Sequence, residues 1–356
     1  MRTRVAWALL GALALAGCFD SGEARLAEDR PSSVPRRRGA VIVDGCTLDA
    51  AQRATLQTPA ARRVLQEIVL LCLAVDENGR ASPTDMDARE ALFREIGALR
   101  ALGYRVLLGA GLGTSRDSLY GAERAGATLA AKAARDLATT ELGVFAAAAD
   151  GIDLHLAPLP SASRDDLTAY VSGLSKAIGR ERLELFLPPS QTSPSDLPGG
   201  EAFALQLLAP LVSRLRVMTL DYSCCPGPGP TVEPLWAQDV MTFTRREAGG
   251  VPLDFAFPLY GTDFGPNGQR SVTWLEATGL SQAGSVTVRR TANGAPTFGY
   301  DGSDGAHVVH FDDATSTSLF LSALDHHALP ADVGVVFYGL GAEEPGLFGE
   351  LSRRTP

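Results

Sequence analysis

The chain has 356 residues, of which 45% are hydrophobic and 21% are charged, a composition typical of a globular protein with one large core or two smaller ones. Its formal net charge is -9. An acidic protein repels the phosphate backbone of nucleic acids, so the charge argues against a nucleic-acid partner.

The first 18 residues predict an export signal that ends in a lipidation site. Arg2 and Arg4 precede an apolar run, residues 5–16, which is too short to span a bilayer as a stable helix. Residues 15–18, Leu-Ala-Gly-Cys, then resemble a bacterial lipobox, in which the thiol of Cys18 is acylated. An ordinary secretory signal with an incidental cysteine is the alternative. We predict an exported lipoprotein, anchored by lipid in the bacterial envelope, with the choice between inner and outer membrane left open.

Residues 19–38 are polar and contain two prolines, which predicts a flexible linker before a folded domain at residues 39–356. Once Cys18 is acylated, four cysteines remain, and an exported protein can oxidise them. Three pairings of these four are possible, and we favour Cys46 with Cys72 because the two should lie on neighbouring strands. Cys224 and Cys225 lack a second cysteine or histidine pair nearby, so we predict no zinc site and no other metal.

Strand-like apolar runs alternate with helical patterns along the domain. The predicted strands are residues 40–44, 68–75, 104–110, 151–156, 183–187, 215–221, 253–258 and 332–340. The predicted helices include residues 89–102, 122–139 and 232–247, and one more with Ser163 as its N-cap. This repeated order predicts parallel strands with right-handed crossovers, and hence an α/β fold, a (β/α)8 TIM barrel.

An open doubly wound sheet is the alternative fold. No G-x-G-x-x-G follows the first strand, which weakens the dinucleotide-binding form of that sheet, and we predict no cofactor. A long interruption, about residues 262–312, separates the seventh strand from the next helix. It contains three short strand patterns, residues 285–290, 296–300 and 307–311, which predict a small α+β or β insertion over the barrel mouth.

Residues 150–157, Asp-Gly-Ile-Asp-Leu-His-Leu-Ala, resemble the D-G-x-D-x-D-x-E signature of glycoside hydrolase family 18, the chitinase-like barrels. Four further fragments are similar to other strands of that family. In the final fragment, Tyr338 takes the place of the family's tryptophan. The four fragments are residues 105–111, 217–222 (family pattern M-x-Y-D-Y), 257–261 (P-x-Y-G), and the pair 307–313 and 334–341, which is similar to the spore-coat and cell-wall members. Their order along the chain implies the family's barrel.

The resemblance implies hydrolysis of N-acetylglucosamine polymers with help from the substrate's own acetamide. In the family, a glutamate protonates the leaving oxygen, an aspartate two residues earlier orients the acetamide, and a tyrosine of the sixth strand holds its carbonyl. Here these positions carry Ala157, His155 and Leu220, while Asp153 is retained. General acid catalysis contributes roughly a hundred- to ten-thousand-fold, so we predict negligible hydrolysis by that route.

We therefore predict a membrane-anchored pseudo-glycosidase that binds a cell-envelope glycan, with oligomeric state left open. The predicted ligand-binding residues are Asp150, Asp153, His155, Asp221, Tyr222, Tyr260 and Tyr338. One alternative is an active glycoside hydrolase with a relocated acid, for which Asp221 and Glu233 are the candidates. Another is a structural lipoprotein whose groove is filled by its own insertion.

Several other polar or aromatic residues are weaker candidates. Asp153 and His155 share a strand face but are too few ligands for a metal ion. Trp236 and Trp274 suit either sugar stacking or packing. His326 and His327 are predicted near the end of a helix, where a cationic side chain suits the helix dipole.

Overall fold

The computed structural model describes residues 38–85, 88–112, 122–156, 158–192, 200–223, 227–326 and 333–354. Several predicted features lie outside these residues: the export signal with Cys18, the linker up to residue 37, Ala157, Cys224, Cys225 and His327. Within the described ranges, we find no helix with the length and apolarity needed to cross a membrane.

The strands occur in two sheets. In chain order they are β1 (Gly39–Asp44), β2 (Glu67–Val75), β3 (Ala81–Pro83), β4 (Arg105–Leu112), β5 (Gly151–His155), β6 (Leu183–Leu187), β7 (Arg214–Val217), β8 (Leu253–Pro258), β9 (Gly261–Gly265), β10 (Gly268–Val272), β11 (Arg289–Arg290), β12 (Pro296–Gly302), β13 (Gly305–His310) and β14 (Val333–Tyr338). Parallel pairing runs through β1, β2, β4, β5, β6, β7, β8 and β14, and β14 pairs back to β1. The predicted TIM barrel is thus confirmed.

The helices of the described chain are α1 (Ala50–Gln57), α2 (Pro59–Val64), α3 (Arg89–Ala101), α4 (Ala122–Ala130), α5 (Lys132–Ala148), α6 (Arg164–Ile178), α7 (Leu205–Leu208), α8 (Pro234–Glu247), α9 (Trp274–Ala283), α10 (Ala314–His326) and α11 (Leu347–Arg354). The main core lies between this helical layer and the outer face of the barrel. On β5, for example, Ile152 and Leu154 are fully buried in that core. Burying each such side chain contributes about 1.5–3 kcal/mol.

Three local predictions differ from the structure. The helix predicted at residues 122–139 is two helices, because Ala131 adopts an extended conformation (φ -87°, ψ 103°) between α4 and α5. The side chain of Ser163 makes no capping hydrogen bond, because Ser163 has helical dihedrals (φ -86°, ψ -2°) instead of the extended ones of an N-cap. Strand β7 ends at Val217 and not at residue 221.

The insertion after β8 is an antiparallel sheet in the order β10-β9-β13-β12-β11, accompanied by helix α9. Its small core contains Val272, Ala277, Phe298, Val309 and Phe311. The predicted strands at residues 296–300 and 307–311 are present, whereas only Arg289–Arg290 of the stretch 285–290 is a strand. The sequence prediction missed the β9–β10 hairpin and α9.

Cys46 and Cys72 lie close together, as predicted from their positions after β1 and within β2. Both are buried free thiols, and the Sγ of Cys46 donates to the carbonyl oxygen of Cys72 at 3.6 Å. The disulfide that we favoured is therefore absent from the structure.

Candidate functional site

The amino-terminal half of the barrel interior is filled by charged side chains. Alternate residues of a strand face the barrel axis, and at this end those positions carry arginines and carboxylates. We call this group the barrel charge cluster; its ion-paired members are Arg38, Glu67, Arg105, Asp153, Glu184, Arg214, Arg216 and Asp254. Four arginines thus face four carboxylates, so the cluster is balanced in charge.

Arg216 of β7 is the centre of the barrel charge cluster. Its side chain has 0% exposure, and it pairs with Glu67, with Glu184 at 2.5 Å and with Asp153 at 3.3 Å. Burial alone would raise the pKa of Glu184, but the positive charges of Arg216, Arg105 and Arg38 outweigh it and hold that pKa at about 2. Burial raises the pKa of Glu67, and Arg216 offsets this only in part.

Asp153 and His155 lie above Arg216 on the inner face of β5. Both side chains have 0% exposure, and Nε2 of His155 lies 3.2 Å from Oδ2 of Asp153. The His155 ring stacks on Phe186, with centroids 4.6 Å apart. The retained aspartate of the signature is therefore enclosed between an arginine, a histidine and the barrel wall, where a sugar has no access to it.

An open cavity of about 660 Å³ lies at the carboxyl ends of the strands. We call it the mouth cavity. Four residues singled out by the sequence line it: Leu220, Asp221, Tyr260 and Tyr338. The insertion supplies one wall, through Ser271–Thr273 and Glu276. TIM-barrel enzymes place their active sites at this end of the barrel.

Asp221 has an unusual backbone in the mouth cavity. Its φ is 59°, in the left-handed region that few residues other than glycine adopt, although aspartate is one of the more tolerant. The hydroxyl of Tyr260 donates to Oδ1 of Asp221 at 2.6 Å. Burial raises the pKa of Asp221, and the hydrogen bond from Tyr260 counteracts only part of that. Strain and desolvation together make this carboxylate a candidate functional residue.

Asp44 is a second carboxylate of the mouth cavity, and the sequence analysis missed it. It ends β1, where it retains an exposed surface, and the Tyr338 hydroxyl lies 3.5 Å from its Oδ1. The surrounding atoms desolvate this carboxyl and raise its pKa, while the charge of His155 lowers it. Its position was detectable, because Ala40 and Ile42 share its strand face and both point into the barrel.

Other predicted residues lie away from the mouth cavity. Asp150 precedes β5 at the opposite end of the barrel, where its carboxylate accepts hydrogen bonds from Arg100 and from the Val106 N–H. Tyr222 is 43% exposed and packs on Trp236, with ring centroids 5.2 Å apart. Glu233 caps α8 by accepting from the Trp236 N–H at 2.6 Å.

Two further predictions concern packing and metals. Trp274 begins α9 and packs against the small core of the insertion, so it is a packing residue and not part of the cavity lining. Across the described ranges, no group of three or more His, Cys, Asp or Glu side chains is arranged to hold a metal ion. His326 is the last residue of α10.

Comparison with solved structures shows several barrels of the same fold. The C-terminal domain of a candidate chitinase from Desulfitobacterium hafniense DCB-2 superposes with a TM-score of 0.74 at 22% identity, covering 90% of this chain and 100% of that one. A chitinase from Chromobacterium violaceum gives 0.73 at 19% identity, covering 88% and 98%. The spore cortex-lytic enzyme SleL of Bacillus megaterium gives 0.74 at 16% identity, covering 91% and 75%.

No family model and no curated protein matches the sequence. The structural likeness, at identities of 22% or lower for these three, establishes the fold and leaves the function to be argued from the site.

Proposed function

We propose that this protein binds a cell-envelope glycan, such as peptidoglycan or a chitin-type polymer, in the mouth cavity without cleaving it by the route that the family resemblance implies. The observation that carries the proposal is the state of Asp153, which is fully buried and paired with His155 and Arg216 beneath a cavity that remains open. The structural neighbours named as chitinases and as a spore cortex-lytic enzyme support a glycan as the ligand.

The chemistry of the cavity wall supports binding and not hydrolysis. Leu220 is 5% exposed and offers no hydroxyl at the position where the resemblance expects a tyrosine. Tyr260 and Tyr338 lie edge to face with centroids 6.3 Å apart, and each is also close to a carboxylate. Aromatic rings beside carboxylates provide apolar contact and hydrogen bonding in one place, which suits a sugar ring.

We predict that Tyr260→Ala weakens the binding of a glycan ligand about tenfold, because truncating a central aromatic contact costs on the order of 1–2 kcal/mol. The measurement is isothermal titration calorimetry of the purified full-length protein against chitin oligomers, glucosamine oligomers and soluble peptidoglycan fragments. Tyr222→Ala is the matched control, since Tyr222 lies outside the mouth cavity and its loss should leave affinity unchanged.

The same protein should release no sugar from these glycans. Sustained release that is abolished by Asp153→Ala would overturn the proposal, because it would require the buried aspartate to reach a substrate. Absence of binding to every glycan in the panel would overturn it as well.

A second function, hydrolysis with a relocated acid, is favoured by one observation. Burial raises the pKa of Asp221 and that of Asp44, and both line the same cavity. Raised carboxyl pKa values suit a general acid. Hydrolysis that persists in Asp153→Asn but disappears in Asp221→Asn would select this function.

The third candidate, a scaffold whose groove is plugged, is opposed by the open cavity, since the insertion forms a wall and does not fill it.

The proposal includes a lipid anchor at Cys18, which tethers the barrel to the envelope. We expect the full-length protein to incorporate a labelled fatty acid in bacterial cells and to sediment with membranes. Cys18→Ala should lose both properties, because no other residue of the lipobox carries a thiol. Equal labelling of the variant and the wild type would contradict the anchor while leaving the glycan site untouched.

A further inference from the structure

The lining of the mouth cavity carries charges of only one sign. Its ionisable acids are Asp44, Asp49, Asp221 and Glu276, and the described lining residues include no lysine, arginine or histidine. We propose that the cavity selects amino sugars with a free ammonium group, such as glucosamine units that lack the N-acetyl group. This inference rests on the proposed glycan-binding function and names the class of glycan.

Asp221 is a partly buried lining carboxylate whose hydrogen-bond partner, Tyr260, is neutral. Desolvation is the larger influence on its carboxyl. An ionised carboxylate that is partly removed from water without a cationic partner is costly. A ligand ammonium placed beside it would offset that cost, whereas a neutral acetamide would not.

Asp44, which is exposed, is a second carboxylate that lines the same cavity. The Tyr338 hydroxyl near it is neutral. Burial raises the pKa of Asp44, and His155, which lowers it, is itself fully buried. The Nδ1 of His155 has no hydrogen-bond partner among the described atoms. His155 is not among the described lining residues, so an ammonium in the cavity would meet the lining carboxylates and not this ring.

The other two acids are already engaged, and their charges reinforce the same preference. Asp49 caps α1 by accepting from the Gln52 N–H, and Glu276 belongs to the capping box of α9. The hydrogen bond from the Thr273 N–H is the main cause of the lowered pKa of Glu276. Arg270 adds to this lowering, but Arg270 itself pairs with Asp263 at 2.9 Å. The field of the cavity is therefore negative, and it attracts cations and repels anionic sugars.

The groups that would hold an acetamide are missing from the mouth cavity. The resemblance assigns that task to a tyrosine of the sixth strand and to one aspartate of the signature strand. Leu220 occupies the tyrosine position, and His155, which has no exposed surface, occupies the aspartate position. An N-acetyl group would therefore find neither of the groups that the resemblance assigns to it, while an ammonium would find two accessible carboxylates.

The test is calorimetric titration of the full-length protein with glucosamine oligomers and with N-acetylglucosamine oligomers of equal length. We expect the glucosamine oligomer to bind at least about tenfold more tightly, since a hydrogen bond to a charged group is stronger than one between neutral groups. The preference should shrink on raising the ionic strength from low salt to about 1 M, because added ions screen exposed charges.

Asp221→Asn and Asp44→Asn should each reduce the preference for glucosamine. Asparagine tolerates the left-handed backbone at residue 221 and keeps an acceptor for Tyr260, so the fold is retained and only the charge is lost. If one variant fails to fold, which circular dichroism would detect, the other still tests the inference. Asp136→Asn is the control: it removes one charge from the exposed face of α5, where Asp136 pairs with Lys132 at 2.6 Å.

The outcomes separate the inference from the function on which it rests. Equal or tighter binding of the acetylated oligomer overturns the inference and leaves glycan binding standing. Binding of neither oligomer, nor of peptidoglycan fragments, overturns the proposed function and the inference with it. A glucosamine preference that survives both aspartate variants also overturns the inference, because the selectivity would then arise elsewhere.

Discussion

Replacing Arg216 with methionine should lower the free energy of unfolding by about 3–5 kcal/mol, because removing one partner of a buried ion pair leaves the other charges uncompensated. In this case Glu67, Glu184 and Asp153 would all lose their shared partner at the centre of the barrel. Methionine preserves much of the side-chain volume, so the decrease in unfolding free energy would result from the lost charge and not from a cavity. Chemical denaturation at neutral pH measures the difference.

Arg94→Met is the matched control for Arg216→Met. Arg94 is 73% exposed on α3 and pairs with Glu90 at 3.7 Å, so its loss should cost less than about 1 kcal/mol. Adding Glu184→Gln to Arg216→Met should recover part of the lost stability, since one stranded carboxylate is neutralised. If Arg216→Met costs no more than Arg94→Met, the barrel charge cluster does not hold the interior together as we describe.

The barrel itself was predictable from the sequence, and the contents of its interior were not. Apolar runs and their alternation with helical patterns report the outer face of each strand, which packs on the helices. Contacts on the inner face depend on which strands face each other across the barrel axis, and this is known only once the barrel has been assembled. Arg216 and Glu67 are separated by 149 positions in the chain, and no local pattern joins them.

The candidate site shows the same division. Asp221, Tyr260 and Tyr338 were found because the family resemblance marks strand ends, and these residues do line the cavity. Asp150 and Tyr222 belong to the same motifs but lie elsewhere, since a motif does not say which way a side chain at a strand end turns. The left-handed backbone of Asp221 also has no sequence signature, because any sequence can place an aspartate after a strand.

The missed helix α9 had a usable local signal. Thr273 and Glu276 form a capping box, with the Thr273 hydroxyl accepting from the Glu276 N–H and the Glu276 carboxylate from the Thr273 N–H. The T-x-x-E spacing is visible in the sequence. Hydrophobic periodicity alone could not reveal the helix, because Ala277 and Ser281 are the buried residues that the structure describes in α9.

Asp312 should make the stability of the fold depend on pH between about 4 and 7. It follows β13, is 8% exposed and accepts a hydrogen bond from the Thr231 hydroxyl at 2.6 Å. Burial raises the pKa of Asp312 from 3.8 to about 6, although the hydrogen bonds from Thr231 and Ser316 act in the opposite direction. Below pH 4 the carboxyl is protonated in both the folded and the unfolded chain, so its full contribution to the free energy of unfolding is present there.

As the pH rises through 6, the folded protein must ionise a buried carboxyl, and the stabilisation from the retained proton is lost. A pKa difference of about 2 corresponds to roughly 3 kcal/mol. Asp312→Asn mimics the protonated group, so the variant should match the wild type at pH 4 and exceed its unfolding free energy by up to about 3 kcal/mol at pH 8. Denaturant titrations at several pH values measure the difference between the two proteins.

Asp301→Asn provides the control for Asp312→Asn, because it removes the same charge from an exposed position on β12 of the insertion. Its difference from the wild type should stay small at every pH, since Asp301 is exposed to solvent and an exposed substitution changes stability little. A constant offset between Asp312→Asn and the wild type would show that Asp312 stays ionised in the folded protein. The hydrogen bonds from Thr231 and Ser316 would then offset the desolvation of the Asp312 carboxylate, and Asp312 would make stability no more dependent on pH.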